Sequence, residues 1–210
     1  MSLRKKIIDK ASSYVPMTYD KTNDIFCITD YYGKKKHTKI PYCCMFVWDI
    51  FRLCDASDYF YGGGQIASCT TLLNYYKKKH PEWVHKDIKR CKPGDLVFYQ
   101  FDSDSNADHI GIFVGAKSST KFTTVEGNTS NKLIGGSQSN GGWIMNKTRA
   151  IGNVMAFVSI EIYPEKRRNG CRVRKIHFTF PVTYDGESGA LLVRTNEQQV
   201  ETVALLQLKE

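Results

Sequence analysis

The residues whose types could support nucleophilic chemistry lie in three short segments, at positions 42–47, 108–112 and 125–130. Cys43 follows Pro41 at a predicted helix start, where unpaired N–H groups and the helix dipole favour an acidic thiol. His109 begins a predicted strand and could accept the thiol proton. Glu126 or Asn128, near the end of the next strand, could hold the imidazole in one orientation. The spacing therefore predicts a Cys–His–polar triad.

Hydrophobic periodicity predicts the elements that must position these residues. Apolar residues at helical spacing predict three helices, over residues 3–15, 43–54 and 70–79, the last preceded by Ser68. After a Pro-Gly turn the period changes, and β-rich runs predict strands over residues 95–101, 109–115, 122–127 and 154–160, with a Gly- and Ser-rich loop over 135–142. Helices followed by an antiparallel sheet predict an α+β fold.

The composition excludes several classes of protein. The chain has 210 residues, of which 41% are hydrophobic and 12% aromatic, so it can bury one sizeable core and is neither disordered nor collagen-like. No apolar run is long enough to cross a membrane. The opening MSLRKKIIDKASS lacks the apolar segment of a secretory signal, so we expect a cytoplasmic protein. Seven cysteines, an odd number, then favour reduced thiols over a disulfide framework.

Four sequence blocks resemble those of the CHAP family of cysteine amidohydrolases and peptidases, a branch of the papain-like superfamily that includes many phage endolysins. They are YCCMFV at 42–47, PGDLVFY at 93–99, ADHIGI at 107–112 and VEGNTS at 125–130. Their order and separation also agree with phage-type CHAP domains. The resemblance extends from about residue 3 to residue 163, and it includes segments 68–79 and 141–149.

The resemblance implies a papain-like CHAP fold, in which N-terminal helices pack on an antiparallel sheet. It implies that Cys43 is the nucleophile, that His109 is general base and then general acid, and that Glu126 orients the imidazole, with Asn128 as the second polar candidate. The implied activity is that of a peptidoglycan hydrolase, either an N-acetylmuramoyl-L-alanine amidase or an endopeptidase. The implied role is that of an endolysin, which stays in the cytoplasm of the producing cell until lysis.

Two alternatives to this function remain open at the level of the sequence. A protein of the same fold could bind the cell wall or assist phage tail assembly without catalysis. A basic nucleic-acid module stabilised by zinc on Cys69, His80, His85 and Cys91 ranks last, because the spacings match no familiar zinc finger and no nucleic-acid motif is recognisable.

We expect no metal or other cofactor. Some phage CHAP domains bind calcium through an Asp-rich loop before the nucleophile and a carboxylate two residues after it, whereas this chain has lysines at 34–36 and Met45. Asp102, Asp104, Asn106 and Asp108 alternate like the ligands of a calcium loop, but Ala107 stands where that loop needs glycine. We interpret this segment as a solvated turn.

The net charge of +9 favours an anionic partner. We expect this partner to be peptidoglycan, with anionic wall polymers as a second attraction, and we expect no binding of nucleic acid. Residues 1–163 are predicted to form the catalytic domain. Residues 164–210 are predicted to form a small β-rich appendage that binds the wall or self-associates. Within it, residues 172–182 have strand character, and residues 200–208 fit either a strand or a short helix.

Overall fold

The computed structural model describes residues 1–18, 25–34, 40–131, 137 and 141–162, together with the backbone of three C-terminal strands. The chain divides into two compact units, Met1–Pro164 and Glu165–Glu210. The lysines at 35 and 36 and residues 172–181 of the strand predicted over 172–182 lie outside the described residues.

The helices of the first unit follow from buried apolar stripes and their end signals. Ser2 and Ser68 cap two of them, since their hydroxyls accept hydrogen bonds from the backbone N–H of Lys5 and Thr71. The helices are α1 (Leu3–Ser12), α2 (Phe26–Tyr32), α3 (Cys43–Leu53) and α4 (Cys69–Lys79).

Seven strands form one antiparallel sheet in the order β1-β6-β5-β4-β3-β7-β2. They are β1 (Met17–Thr18), β2 (Val84–His85), β3 (Leu96–Tyr99), β4 (His109–Ala116), β5 (Lys121–Thr129), β6 (Trp143–Ala150) and β7 (Val154–Val158). This arrangement of helices and antiparallel sheet confirms the α+β prediction.

The two faces of the central strands bury different side chains, because successive residues of a strand point to opposite sides. Ile110 and Ile112 of β4, with Val125 of β5, belong to the large core that includes the helices. The alternate residues pack into a smaller second core, which contains Val97, Tyr99, Phe113, Phe122 and Phe157.

Helix α3 lies at the centre of the large core and is buried from Cys43 to Phe51. It can approach β5 closely because Gly127 has no side chain. A Cβ atom at Gly127 would lie 2.7 Å from the Cβ of Phe46. The start of α3, which carries Cys43, is thereby held against the sheet.

The element prediction is wrong in several details. Helix α1 ends at Ser12 rather than residue 15, because Pro16 follows and disfavours helical backbone in the residue before it. Helix α2 was not predicted: it has only seven residues, no side-chain cap at Ile25, and an end at Gly33 with φ of 66°. Strand β6 was not predicted either, although the family resemblance included its segment.

The second unit contains a three-stranded antiparallel sheet in the order β10-β9-β8. Its strands are β8 (Val182–Asp185), β9 (Ala190–Arg194) and β10 (Val200–Leu205). The segment 200–208 was left open between a strand and a short helix, and its residues 200–205 form a strand. In the described part of the chain, no helix is long and apolar enough to cross a bilayer.

Candidate active site

Cys43 is the first residue of α3, as predicted, and only 5% of its surface is exposed. The helix begins with a hydrogen bond of 2.8 Å from the Phe46 N–H to the Tyr42 carbonyl. Cys43 therefore lies at the positive end of the helix dipole, where the N–H groups of the first turn lack partners within the helix.

His109, the first residue of β4, is fully buried and pairs with Tyr99 of β3. Its Nε2 lies 3.0 Å from Oε2 of Glu126. Its Nδ1 makes no well-aligned hydrogen bond with any of the described residues. The Cys43 thiol nevertheless lies close enough to alter the pKa of the imidazole, so Nδ1 is the nitrogen left to exchange a proton with sulfur.

Glu126 of β5 is fully buried, and its carboxylate accepts hydrogen bonds from several neighbouring groups. The Thr124 hydroxyl donates to Oε1 at 2.6 Å, and Nε of Arg149 donates to the same oxygen at 2.9 Å. Gly111 leaves room for it, since a Cβ there would lie 2.8 Å from Cγ of Glu126. Burial acts to raise the pKa of Glu126, but Arg149 and His109 hold it well below its usual value. Glu126 is therefore ionised and fixed in place.

Arg149 of β6 is a member of this cluster that the sequence analysis did not identify. Its Nη2 donates to Oε2 of Glu126, which completes a two-pronged contact, and also to the Thr129 hydroxyl at 3.2 Å. The guanidinium lies over the rings of Tyr99 and Phe101, at 5.2 and 5.3 Å from their centroids. Only 10% of its side chain is exposed. Arg149 lies 23 residues from Glu126 on a strand that was not predicted, so no local pattern marks it.

The pKa of His109 is raised to about 9 from its usual 6.5. Burial is the largest influence and acts to lower it, but the hydrogen bonds and negative charges of Cys43 and Glu126 outweigh burial. The imidazolium form is therefore stabilised by the Glu126 carboxylate and by the neighbouring sulfur of Cys43. Because the His109 imidazole and the Cys43 thiol interact this strongly, they titrate as a pair.

The thiol of Cys43 differs from the acidic nucleophile predicted from its position. Its pKa is raised, first by the neighbouring Cys69 thiol and then by burial, whereas His109 lowers it. The two sulfur atoms are 3.6 Å apart. The prediction considered only the helix start, but the thiol contacts a second buried sulfur as well as the imidazole.

Asn128 lies at an irregularity of β5, where the register with β6 shifts between Glu126 and Thr129. It has a positive φ of 57° and is 1% exposed. Its carbonyl accepts a hydrogen bond of 3.0 Å from the Gly141 N–H. The structure thus brings Cys43, His109 and Glu126 together and places Asn128 at the irregularity of β5, two residues after Glu126. Glu126, rather than Asn128, is the residue 3.0 Å from Nε2 of His109.

Carboxylate oxygens of Asp102, Asp104 and Asp108 lie within 4.8 Å of one another and could hold a cation. Their turn is also ordered by its own contacts, since the N–H groups of Asp104 and Asn106 donate to the preceding aspartates at 3.1 and 2.7 Å. The cysteines and histidines considered for zinc have separate neighbours. Cys69 contacts Cys43, His80 stacks on Trp83 at 3.9 Å, and His85 lies 2.7 Å from the Ser159 hydroxyl.

Comparison with known proteins supports the resemblance seen in the sequence. The family model described as CHAP domain matches residues 20–128, slightly more than half of the chain. The match includes Cys43, His109, Glu126 and Asn128 but not Arg149. CHAP domains are generally cysteine- and histidine-dependent amidohydrolases that act on peptidoglycan. No curated protein matches the chain.

Proposed function

We propose, from the premise that the chain belongs to the CHAP domain family, that it cleaves an amide bond in the peptide stem or cross-bridge of bacterial peptidoglycan. Cys43 is the proposed nucleophile, His109 the acid and base, and Glu126 the residue that orients the imidazole. The observation that carries this proposal is the hydrogen bond of 3.0 Å between Nε2 of His109 and the buried Glu126 carboxylate, beside the thiol of Cys43. It leaves the other ring nitrogen available to the sulfur.

The tautomer follows from the charge of Glu126. Because this carboxylate is ionised and accepts hydrogen bonds only, Nε2 of His109 carries a proton and donates it to Oε2. Nδ1 is then the atom that takes the proton from the Cys43 thiol. The product is a thiolate–imidazolium pair, and the thiolate is the attacking species.

Acyl transfer proceeds in two halves. The Cys43 thiolate attacks the amide carbon, and we place the resulting oxyanion against the backbone N–H of Cys43. As the C–N bond breaks, Nδ1 of His109 gives its proton to the leaving amine and a thioester remains. Water then loses a proton to Nδ1 and attacks the thioester, which releases the carboxylic acid and returns the proton to the thiol.

Replacement of the nucleophile tests this assignment. We expect Cys43→Ala to abolish the clearing of purified cell walls, while its circular dichroism spectrum and melting temperature stay close to those of the parent. Cys44→Ala is the matched control, because it removes the adjacent thiol and should retain activity. If Cys43→Ala clears walls at the parent rate, the nucleophile is misassigned. If the parent itself clears no walls, wall binding without turnover becomes the better description.

The finer role we propose is that of an endolysin, which acts on the wall after lysis of the producing cell begins. The net charge of +9 supports attraction to an anionic wall. The bond that is cut is identified by mass spectrometry of the fragments released from defined peptidoglycan. New amino groups on a cross-bridge residue mean endopeptidase activity, whereas free stem peptides that begin with L-alanine mean amidase activity.

A further inference from the structure

Cys69 is a buried thiol that the proposed hydrolysis does not use. It is the first residue of α4, and its Sγ lies 3.6 Å from Sγ of Cys43. Cys69 is 6% exposed and Cys43 is 5% exposed, so both thiols are almost fully buried. The two sulfurs come from different helices, 26 positions apart in the chain.

The start of α4 is held in this position by hydrogen bonds. The Ser68 hydroxyl caps the helix by accepting from the Thr71 N–H at 3.2 Å. The Thr70 hydroxyl accepts from the N–H of Ala107 at 3.0 Å, two residues before His109. The start of α4, which carries Cys69, is therefore hydrogen-bonded to the loop that leads into His109. These hydrogen bonds help to fix the distance between Cys69 and Cys43.

We propose that Cys43 and Cys69 form a reversible disulfide when the protein meets hydrogen peroxide, and that this bond switches off the hydrolase. A disulfide needs the sulfurs about 2.05 Å apart, so they must approach by roughly 1.5 Å from the separation observed. Loss of activity rests on the proposed function, whereas formation of the bond does not.

The chemistry has two steps. The thiolate of Cys43 attacks one oxygen of the peroxide, the O–O bond breaks, and with one proton the products are a sulfenic acid on Cys43 and water. The Cys69 thiol then attacks the sulfenic sulfur, the S–O bond breaks, and a second water leaves with the thiol proton. Two thiols are oxidised by two electrons and one peroxide is reduced to two waters. A dithiol reductant reverses the result by exchange.

Cys69 also protects the nucleophile in this scheme. A sulfenic acid with no thiol beside it is oxidised further to a sulfinic acid, which thiol reductants do not restore. A thiol at 3.6 Å captures the sulfenic acid first. Cys44 is the competing partner, because it too interacts with the Cys69 thiol.

The test exposes the full chain to hydrogen peroxide, then alkylates the free thiols under denaturing conditions and determines the masses of digested peptides. We expect the parent to lose the mass of two hydrogens in a peptide pair that joins Cys43 to Cys69, and to lose wall clearing in proportion. Dithiothreitol should restore both. In Cys69→Ser the cross-link should be absent, and the clearing activity lost to peroxide should stay lost after reduction.

Cys91→Ser is the matched control, since it removes a cysteine that lies near Asp87 instead. It should behave as the parent does. The proposal is overturned if the parent forms no cross-link to Cys69, or if Cys43→Ala forms a cross-link to Cys69 as readily as the parent does, which would identify Cys44 as the partner. A parent that forms the cross-link but never clears walls would contradict the proposed function and leave the disulfide standing.

Discussion

Replacement of Glu126 by glutamine tests the electrostatic account of the site. The change keeps the size of the side chain, but it removes the negative charge that His109 and Arg149 share. The rise of the His109 pKa from 6.5 to about 9 corresponds to about 3 kcal/mol in favour of the imidazolium. Cys43 and Glu126 supply this stabilisation together, against the opposing effect of burial.

The expected loss of activity follows from that shared energy. If Glu126 supplies half of the about 3 kcal/mol that stabilises the imidazolium, Glu126→Gln should lower kcat/KM about 10-fold. If Glu126 supplies all of this energy, the loss should be about 200-fold. The alkaline limb of the pH profile should also move. Activity falls as the imidazolium loses its proton near pH 9 in the parent, so a lower His109 pKa brings this fall to a lower pH.

The pKa itself can be measured by NMR titration of His109 in a Cys43→Ala background, where the contribution of the thiol is absent. Adding Glu126→Gln should bring the pKa below 6.5, because burial then dominates. Glu82→Gln is the control, since this carboxylate is 61% exposed and interacts with His80 at 3.7 Å. A His109 pKa unchanged by Glu126→Gln, with kcat/KM within about twofold of the parent, would refute the reasoning.

Two further predictions concern the helix that carries the nucleophile. Gly127→Ala should destabilise the protein by about 1–3 kcal/mol, because the added methyl group collides with the side chain of Phe46 on α3. Thermal unfolding measures this loss. Gly152→Ala is the control, since a Cβ there meets nothing within 4 Å, and it should leave the melting temperature nearly unchanged. Burial raises the pKa of Asp49 to about 6 despite the opposing hydrogen bond from Arg52. Protonated Asp49 therefore favours the folded state, and its contribution is present below pH 3.8 and lost as pH rises through about 6. Asp49→Asn should remove this pH dependence. Urea unfolding at pH 4.5 and 7 should therefore show that the free energy of unfolding of the parent falls relative to that of the variant as the pH rises. A difference in unfolding free energy that is the same at both pH values would contradict this prediction.

The sequence predicts those parts of the fold whose signals are local. The apolar stripe over residues 43–54 identified α3 and the place of Cys43 at its start, and the Ser68 cap identified α4. Helix α2 has too few turns for such a stripe. The raised pKa of Cys43 could not be predicted, because it depends on Cys69, which comes from another helix.

The choice between Glu126 and Asn128 shows how a distant residue settles what spacing leaves open. Either side chain could accept a hydrogen bond from an imidazole, and both lie near the end of β5. The structure adds Arg149, a guanidinium with 10% exposure whose two-pronged contact goes to Glu126. A neutral amide at position 126 would leave this cation buried beside a second one, the imidazolium, without a compensating charge. The carboxylate is thus required by Arg149 as much as by His109. Because Arg149 lies on β6, this requirement cannot be seen in the three sequence segments that contain Cys43, His109 and Glu126.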